Sequence, residues 1–216
     1  ITATNDDLSA VIGRDLLGSS ISGTSLVSVD VTRNMTRSSV IGIKDDMTLD
    51  VGGNMTSSTA SSASSTISAT VGGNFTASRL TGYGIDLDVE GNASGTLTAH
   101  GSDIDLIVDG SFTGIATTGN DIDAELGSLN GTLAAANDLD LLVTGNVSAS
   151  SVIQANEVDS FRVEGTFAGK LTAVYFDSDE GDGTNDLVVG NVLSTAKFNI
   201  GVFNGNADEV YRFGGK

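Results

Sequence analysis

Carboxylates dominate the chemistry this sequence could perform. The stretch 177–186 reads Asp-Ser-Asp-Glu-Gly-Asp-Gly-Thr-Asn-Asp. Oxygen donors alternating with glycine suit a Ca²⁺ ion, which takes roughly six to eight oxygen ligands. Asp177, Asp179, Asp182, Asn185 and Asp186 are therefore candidate calcium ligands. The stretch is not an EF-hand, because Gly181 falls where a ligand is expected and no Glu closes it. A polar surface loop is the competing reading.

A second set of acids repeats along the chain. Asp86, Asp105, Asp123 and Asp140 each stand three residues before a valine or leucine, and Asp46, Asp103, Asp121 and Asp138 stand five before. Stacked at a spacing of about 4.8 Å, like charges repel by nearly ~1 kcal/mol per neighbour in bulk water. Salt weakens this repulsion, and bridging calcium would reverse it. Both columns are expected to face solvent, either as a solubilising surface or as calcium-bridged rows.

An amide column runs beside them at Asn34, Asn54, Asn74, Asn92 and Asn146, each three residues after its valine, with Ser111 and Thr166 in equivalent places. Stacked asparagines can hydrogen-bond up and down such a column. Each, like Asn130, also opens an Asn-x-Ser/Thr triplet, the form of an N-glycosylation acceptor. A turn ladder produces that triplet by repetition alone. A glycan would require outward side chains and a host that attaches one.

Catalytic constellations are weak. Ten cations, from Arg14 to Lys216, show no common register, whereas a polyuronate lyase needs them converging on one groove with a base. Asp45-Asp46 is the nearest acid pair and reads as a turn. His100 is the only histidine, and there is no Trp to make a sugar platform. No Gly-x-Ser-x-Gly or His-Glu-x-x-His motif occurs. The chain is expected not to be an enzyme.

The elements that position these residues are set by a repeat. Aligned on Val11, Val31, Val51, Val71, Val89, Val108, Leu126, Val143, Val163, Val188 and Phe213, the copies are 17 to 25 residues apart. A glycine usually follows two residues later, where positive φ is expected. An apolar residue usually follows at four, then Thr or Ser. The first copy is weak, with Asp15 at the apolar position, and in the Leu126 copy Leu129 is shifted by one. Before each valine the pattern alternates, as in Ile85-Asp86-Leu87-Asp88-Val89. Period two means a strand with one face buried. A second short strand follows, as in Ala93-Ser94-Gly95-Thr96-Leu97.

Units of about 20 residues cannot bury an apolar face alone, but stacked they form a continuous core. Propeller blades need about 40–45 residues, and the leucine-rich consensus is absent. The sequence predicts an all-β parallel β-helix (a β-solenoid), right-handed as parallel crossovers are. About eleven coils of roughly 17–25 residues would make a rod about 50 Å long. Residues 1–216 form a single solenoid segment, with 177–186 as an acidic loop insertion.

Composition bounds the rest. The chain has 216 residues, net charge −18, 28 glycines, and no Pro, Cys or Trp. Absent cysteine removes disulfides, zinc-thiolate sites and thiol nucleophiles. Acidity disfavours nucleic acid, and no apolar run approaches the ~18 residues of a membrane span. Proline is excluded by the strand ladder, where nearly every N–H donates. The chain begins at Ile1, without an initiator Met or signal segment, and reads as a piece of a longer protein.

Gly95-Thr96-Leu97-Thr98-Ala99-His100-Gly101-Ser102-Asp103-Ile104-Asp105-Leu106 resembles the roughly 19-residue repeats of filamentous-haemagglutinin-like bacterial surface proteins. Apolar–polar alternation, the Leu-Thr-Ala phrase and glycine punctuation carry the likeness, which extends over most of residues 11–216. It implies a secreted β-helical stalk of a large adhesin or cell-surface protein. The acidic columns depart from that family's usual pattern, and its secretion domain is not visible.

The expected function is structural: an extracellular segment of a cell-surface, adhesin, S-layer-like or fibre protein that projects or self-assembles. Its expected partners are further copies or adjoining domains meeting end to end, since both ends read as uncapped, and surface polysaccharide. No nucleic acid or membrane insertion is expected. The alternatives are a polysaccharide-binding or polysaccharide-cleaving β-helix, and an ice- or crystal-binding face made by Thr36, Thr56, Thr76, Ser94 and Thr113.

Overall fold

The structure is a computed structural model that describes residues 1–4, 6–177, 187–204 and 212–213. It is a parallel β-solenoid with no helix among the described residues. Each coil contributes strands to three faces. The valine face holds Leu8–Ile12, Val27–Val31, Met47–Val51, Ile67–Val71, Ile85–Val89 and their successors. Its residues pair in register, for example Val31 with Val51, Val51 with Val71, and Val71 with Val89. A short face carries two-residue strands such as Met35–Thr36 and Met55–Thr56. A third face, rich in Ser and Thr, holds Ser20–Gly23, Ser39–Gly42, Thr59–Ser62 and Ile115–Thr118.

Alternation explains the valine face. Ile85, Leu87 and Val89 point inward and are buried, while Asp86 and Asp88 point outward. Successive side chains of a strand take opposite sides, so each coil contributes one apolar rung to a shared interior. The short face adds Met35, Met55, Phe75, Ala93 and Phe112 to that interior. Toward the C-terminal end, Phe161 and Phe167 meet edge to face with ring centroids 5.6 Å apart. An edge-to-face pair sets a positive ring edge against a negative ring face.

About nine turns are formed, slightly fewer than the eleven copies that the spacing suggests. The last copies run into residues outside the described set. The first copy is in register after all, with its anchor moved by one. Ile12, not Val11, pairs with Val31, and Leu16, not Asp15, pairs with Met35. Val11 is 72% exposed, as an outward residue should be. Likewise Val189, not Val188, pairs with Val163. In both copies adjacent apolar residues made two anchors equally good by type. Leu129 does pair with Phe112 across a register shift that absorbs its displacement.

The turn glycines are needed for a different reason than expected. Among the described glycines only Gly18 has positive φ, 57°. Gly53, Gly73, Gly91 and Gly110 instead lie against the coil below. A Cβ on Gly91 would sit 2.6 Å from the Gly73 carbonyl oxygen and 2.8 Å from Asn74 Oδ1. Positive φ falls further on, at Arg37, Ser57 and Ala77 (49° to 50°), in the corner between the short face and the Ser/Thr face. The second short strand is also a bent one. Ala93–Ala99 starts on the short face and ends on the Ser/Thr face, with Ala93 opposite Phe75 and Leu97 opposite Leu80.

Candidate functional surface

Three side-chain columns follow from the stacking. In the asparagine column, Asn54 N–H donates to Asn34 Oδ1 at 2.9 Å and Asn54 Nδ2 donates to the same oxygen at 3.2 Å. Asn74 repeats both bonds to Asn54 (2.8 and 3.1 Å), and Asn92 repeats them to Asn74 (2.9 and 3.3 Å). Each amide oxygen thus receives the backbone and the side chain of the next coil. Ser111 N–H continues the column onto Asn92 Oδ1, and Thr166 N–H donates to Asn146 Oδ1. At the N-terminal end Asp15 takes the asparagine role, accepting from Asn34 N–H and Nδ2. Those hydrogen bonds, the side-chain one foremost, hold the Asp15 carboxyl below its ordinary range, with help from Arg33 and Arg14.

The acidic columns separate into two kinds. Asp86, Asp105, Asp123 and Asp140 pair rung upon rung and are exposed. Asp103, Asp121 and Asp138 are expected to face solvent equally, but they are half-buried, Asp103 and Asp121 in turns and Asp138 at the start of the strand Asp138–Val143. Asp121 Oδ1 accepts Asp138 N–H at 3.1 Å, and Asp103 Oδ1 accepts Asn120 Nδ2. This is the asparagine-column geometry made with carboxylates, because a turn N–H pointing along the rod needs only an oxygen above or below it. Asp46 belongs to the same turn, where its carbonyl accepts Val27 N–H.

Crowding shows in the carboxyl chemistry. Asp105 is pushed above its ordinary range by partial burial first, then by Asp123, Asp86 and Asp103. Asp138 is raised by burial and by Asp121. A cleft of about 170 Å³ lies between the two columns, lined by aspartates from four coils, from Asp103 to Asp159. Among the described residues, no three His, Asp or Glu side chains stand close enough to hold a metal ion. The calcium candidates Asp179, Asp182, Asn185 and Asp186 lie outside the described residues. Asp177 closes the strand Lys170–Asp177, and its side chain lies outside the description too.

A buried serine column went unnoticed in the sequence. Ser19 N–H donates to Ser38 Oγ, Ser38 N–H to Ser58 Oγ and Ser58 N–H to Ser78 Oγ, each at 3.1 Å. The hydroxyls in turn donate to the carbonyls of Thr36, Thr56 and Thr76. Its signal was present, a serine seven residues after each of Val31, Val51 and Val71. Residue type alone cannot tell a buried serine from a loop serine.

The other expected features are placed as follows. Thr36, Thr56, Thr76 and Ser94 stack in register on the short face. A second hydroxyl row, Ser61, Thr81, Thr98 and Thr117, stacks on the Ser/Thr face. His100 Nε2 lies 3.4 Å from the Ala63 carbonyl oxygen, on the surface. The cations are less scattered than expected, since Lys170 and Lys197 are register partners. Asp45 Oδ2 accepts from Ser25 Oγ at 2.9 Å, a turn role for the Asp45-Asp46 pair.

No family model, no curated protein and no solved structure matches this chain, so what is shown of its kind is the architecture, a parallel β-solenoid of stacked repeats.

Proposed function

We propose that the chain is a structural, non-catalytic segment of an extracellular surface or fibre protein, which projects or spaces other parts and assembles end to end. One observation carries the reading: parallel pairing runs rung to rung from Leu8–Ile12 to Arg212–Phe213, with one shift inside the face, between Leu139 and Asp140. Such a stack resists bending because backbone, asparagine and serine bonds all run along its axis. Its polar residues are arranged by coil, not around a point, which suits spacing better than turnover.

Stacking is the mode of contact the fold already uses: each coil pairs with the next through the same parallel ladder, as Val27–Val31 does with Met47–Val51 and Met47–Val51 with Ile67–Val71, and coils of two segments could meet in the same way. The resemblance to filamentous-haemagglutinin-like repeats agrees with a stalk role at the level of repeat style. A surface stalk also suits a chain without cysteine, since stacking replaces disulfides.

Sedimentation velocity and small-angle scattering over a concentration series test this. The expected result is a rod whose length grows in whole multiples while its cross-section stays constant. A compact monomer at every concentration overturns the assembly reading. Product release from pectin-like or alginate-like polymers overturns the non-catalytic one.

A further inference from the structure

We propose that Asn130 is a site of spontaneous self-modification, in which Gly131 N attacks the Asn130 side-chain amide and ammonia leaves. The Gly131 N–Cγ bond forms as Cγ–Nδ2 breaks. The Gly131 amide proton departs with Nδ2 as ammonia, and nothing is oxidised or reduced. Water then opens the five-membered imide. Opening at Cγ leaves an aspartyl residue, and opening at the backbone carbonyl routes the chain through Cβ as an isoaspartyl linkage.

The structure separates Asn130 from the asparagines of the column by what holds the next N–H. Attack requires the N–H of the following residue to be free. In the asparagine column it is not: Met55 N–H donates to the Asn74 carbonyl and Phe75 N–H to the Asn92 carbonyl, both at 2.9 Å. Val147 N–H, after Asn146, donates to the Thr166 carbonyl at 2.8 Å. Gly131 N–H makes no hydrogen bond among the described residues, although Asn130 N–H donates to the Phe112 carbonyl and Thr132 N–H to the Gly114 carbonyl on either side. The attacking residue is glycine, so no side chain obstructs its approach. Asn130 is exposed, which admits the water that opens the imide.

The amide is also polarised. Ser148 Oγ donates to Asn130 Oδ1 at 2.5 Å, and Ser150 Oγ donates to the same oxygen. Negative charge builds on that oxygen as nitrogen adds to Cγ, so the two hydroxyls stand where they stabilise the tetrahedral intermediate. Asp109-Gly110 provides an internal contrast. It has the same glycine, but Gly110 N–H is bound to the Gly91 carbonyl at 3.0 Å.

The test incubates the folded full chain at mildly alkaline pH, then maps peptides by mass spectrometry with separation of aspartyl and isoaspartyl forms. Asn130 is expected to convert well before Asn54 and Asn74, with no isoaspartate at Asp109. The double variant Ser148→Ala/Ser150→Ala, checked for its fold by circular dichroism, is expected to convert roughly three- to tenfold more slowly, as the loss of one or two hydrogen bonds implies. Conversion of Asn54 at the same rate as Asn130 overturns the proposal. So does an inert Asn130 in folded chain when the same chain in urea converts. An unchanged rate in the double variant overturns the role of the hydroxyls.

Discussion

Asn54→Ala tests the asparagine column at its centre. Removing the side chain deletes two bonds received from Asn74, at 2.8 and 3.1 Å, and the bond from Asn54 Nδ2 to Asn34 at 3.2 Å. The bond from Asn54 N–H to Asn34 survives, because its acceptor is untouched. Three lost bonds at a solvent-exposed turn, each at the low end of about 0.5–1.5 kcal/mol, amount to roughly 1.5–2 kcal/mol. Asn54→Asp separates acceptor from donor. It keeps an oxygen for both Asn74 bonds and loses only the donor to Asn34, so it should cost about half as much in moderate salt. Urea unfolding followed by circular dichroism reads both variants. A change below about 0.3 kcal/mol for the alanine, within ordinary surface variation, refutes the column as a source of stability. Equal losses for both variants refute the acceptor as its working part.

Gly91→Ala should cost about 1–3 kcal/mol, because its Cβ would meet the Gly73 carbonyl oxygen at 2.6 Å, while Gly13→Ala, with nothing within 4 Å, should be near neutral; thermal midpoints compare the two. Asp105 and Asp138 have raised folded-state values, so their share of stability is fully present below the unfolded carboxyl range and is lost as pH rises through the folded values. Asp15 opposes them, since its lowered value gives stability that is lost only at more acid pH. The thermal midpoint in low salt should therefore rise as pH falls into the carboxyl range through the raised folded values, and less so in Asp105→Asn; a steady fall there refutes the crowding argument. The calcium reading of 177–186 predicts that EDTA lowers the unfolding midpoint and that Asp179→Asn/Asp182→Asn abolishes the response; equal midpoints with and without EDTA refute it.

The architecture was legible because its cause is periodic. Ile85-Asp86-Leu87-Asp88-Val89 states both which side is buried and which residue of the next coil it meets, and Asp86, Asp105, Asp123 and Asp140 fall rung upon rung as read. The asparagine bonds follow from the same periodicity. What stayed hidden depends on direction rather than type. Val11 and Ile12 are equally apolar, so only the pairing of Ile12 with Val31 decides between them. Asp103 and Asp105 are the same residue two places apart, yet one sits in a turn and accepts hydrogen bonds while the other points outward from a strand. The buried Ser38, Ser58 and Ser78 repeat as faithfully as the valines, but hydropathy gives a serine no preference for the interior.

The register shifts have a consequence for how such a rod can change. Three of them fall at corners, between Thr76 and Arg79, Val108 and Ser111, and Val163 and Thr166. Corner residues therefore absorb most differences in coil length, and the flat faces keep their pairing apart from one shift within the valine face, between Leu139 and Asp140. Lengthening a corner leaves the rungs above and below in step. An exposed corner such as Gly119, with open space around it, is a place where a foreign peptide could be grafted without disturbing the stack. Repeated on successive coils, such grafts would stand in a row at the coil spacing of about 4.8 Å, making the solenoid a ruler along which other groups are set out.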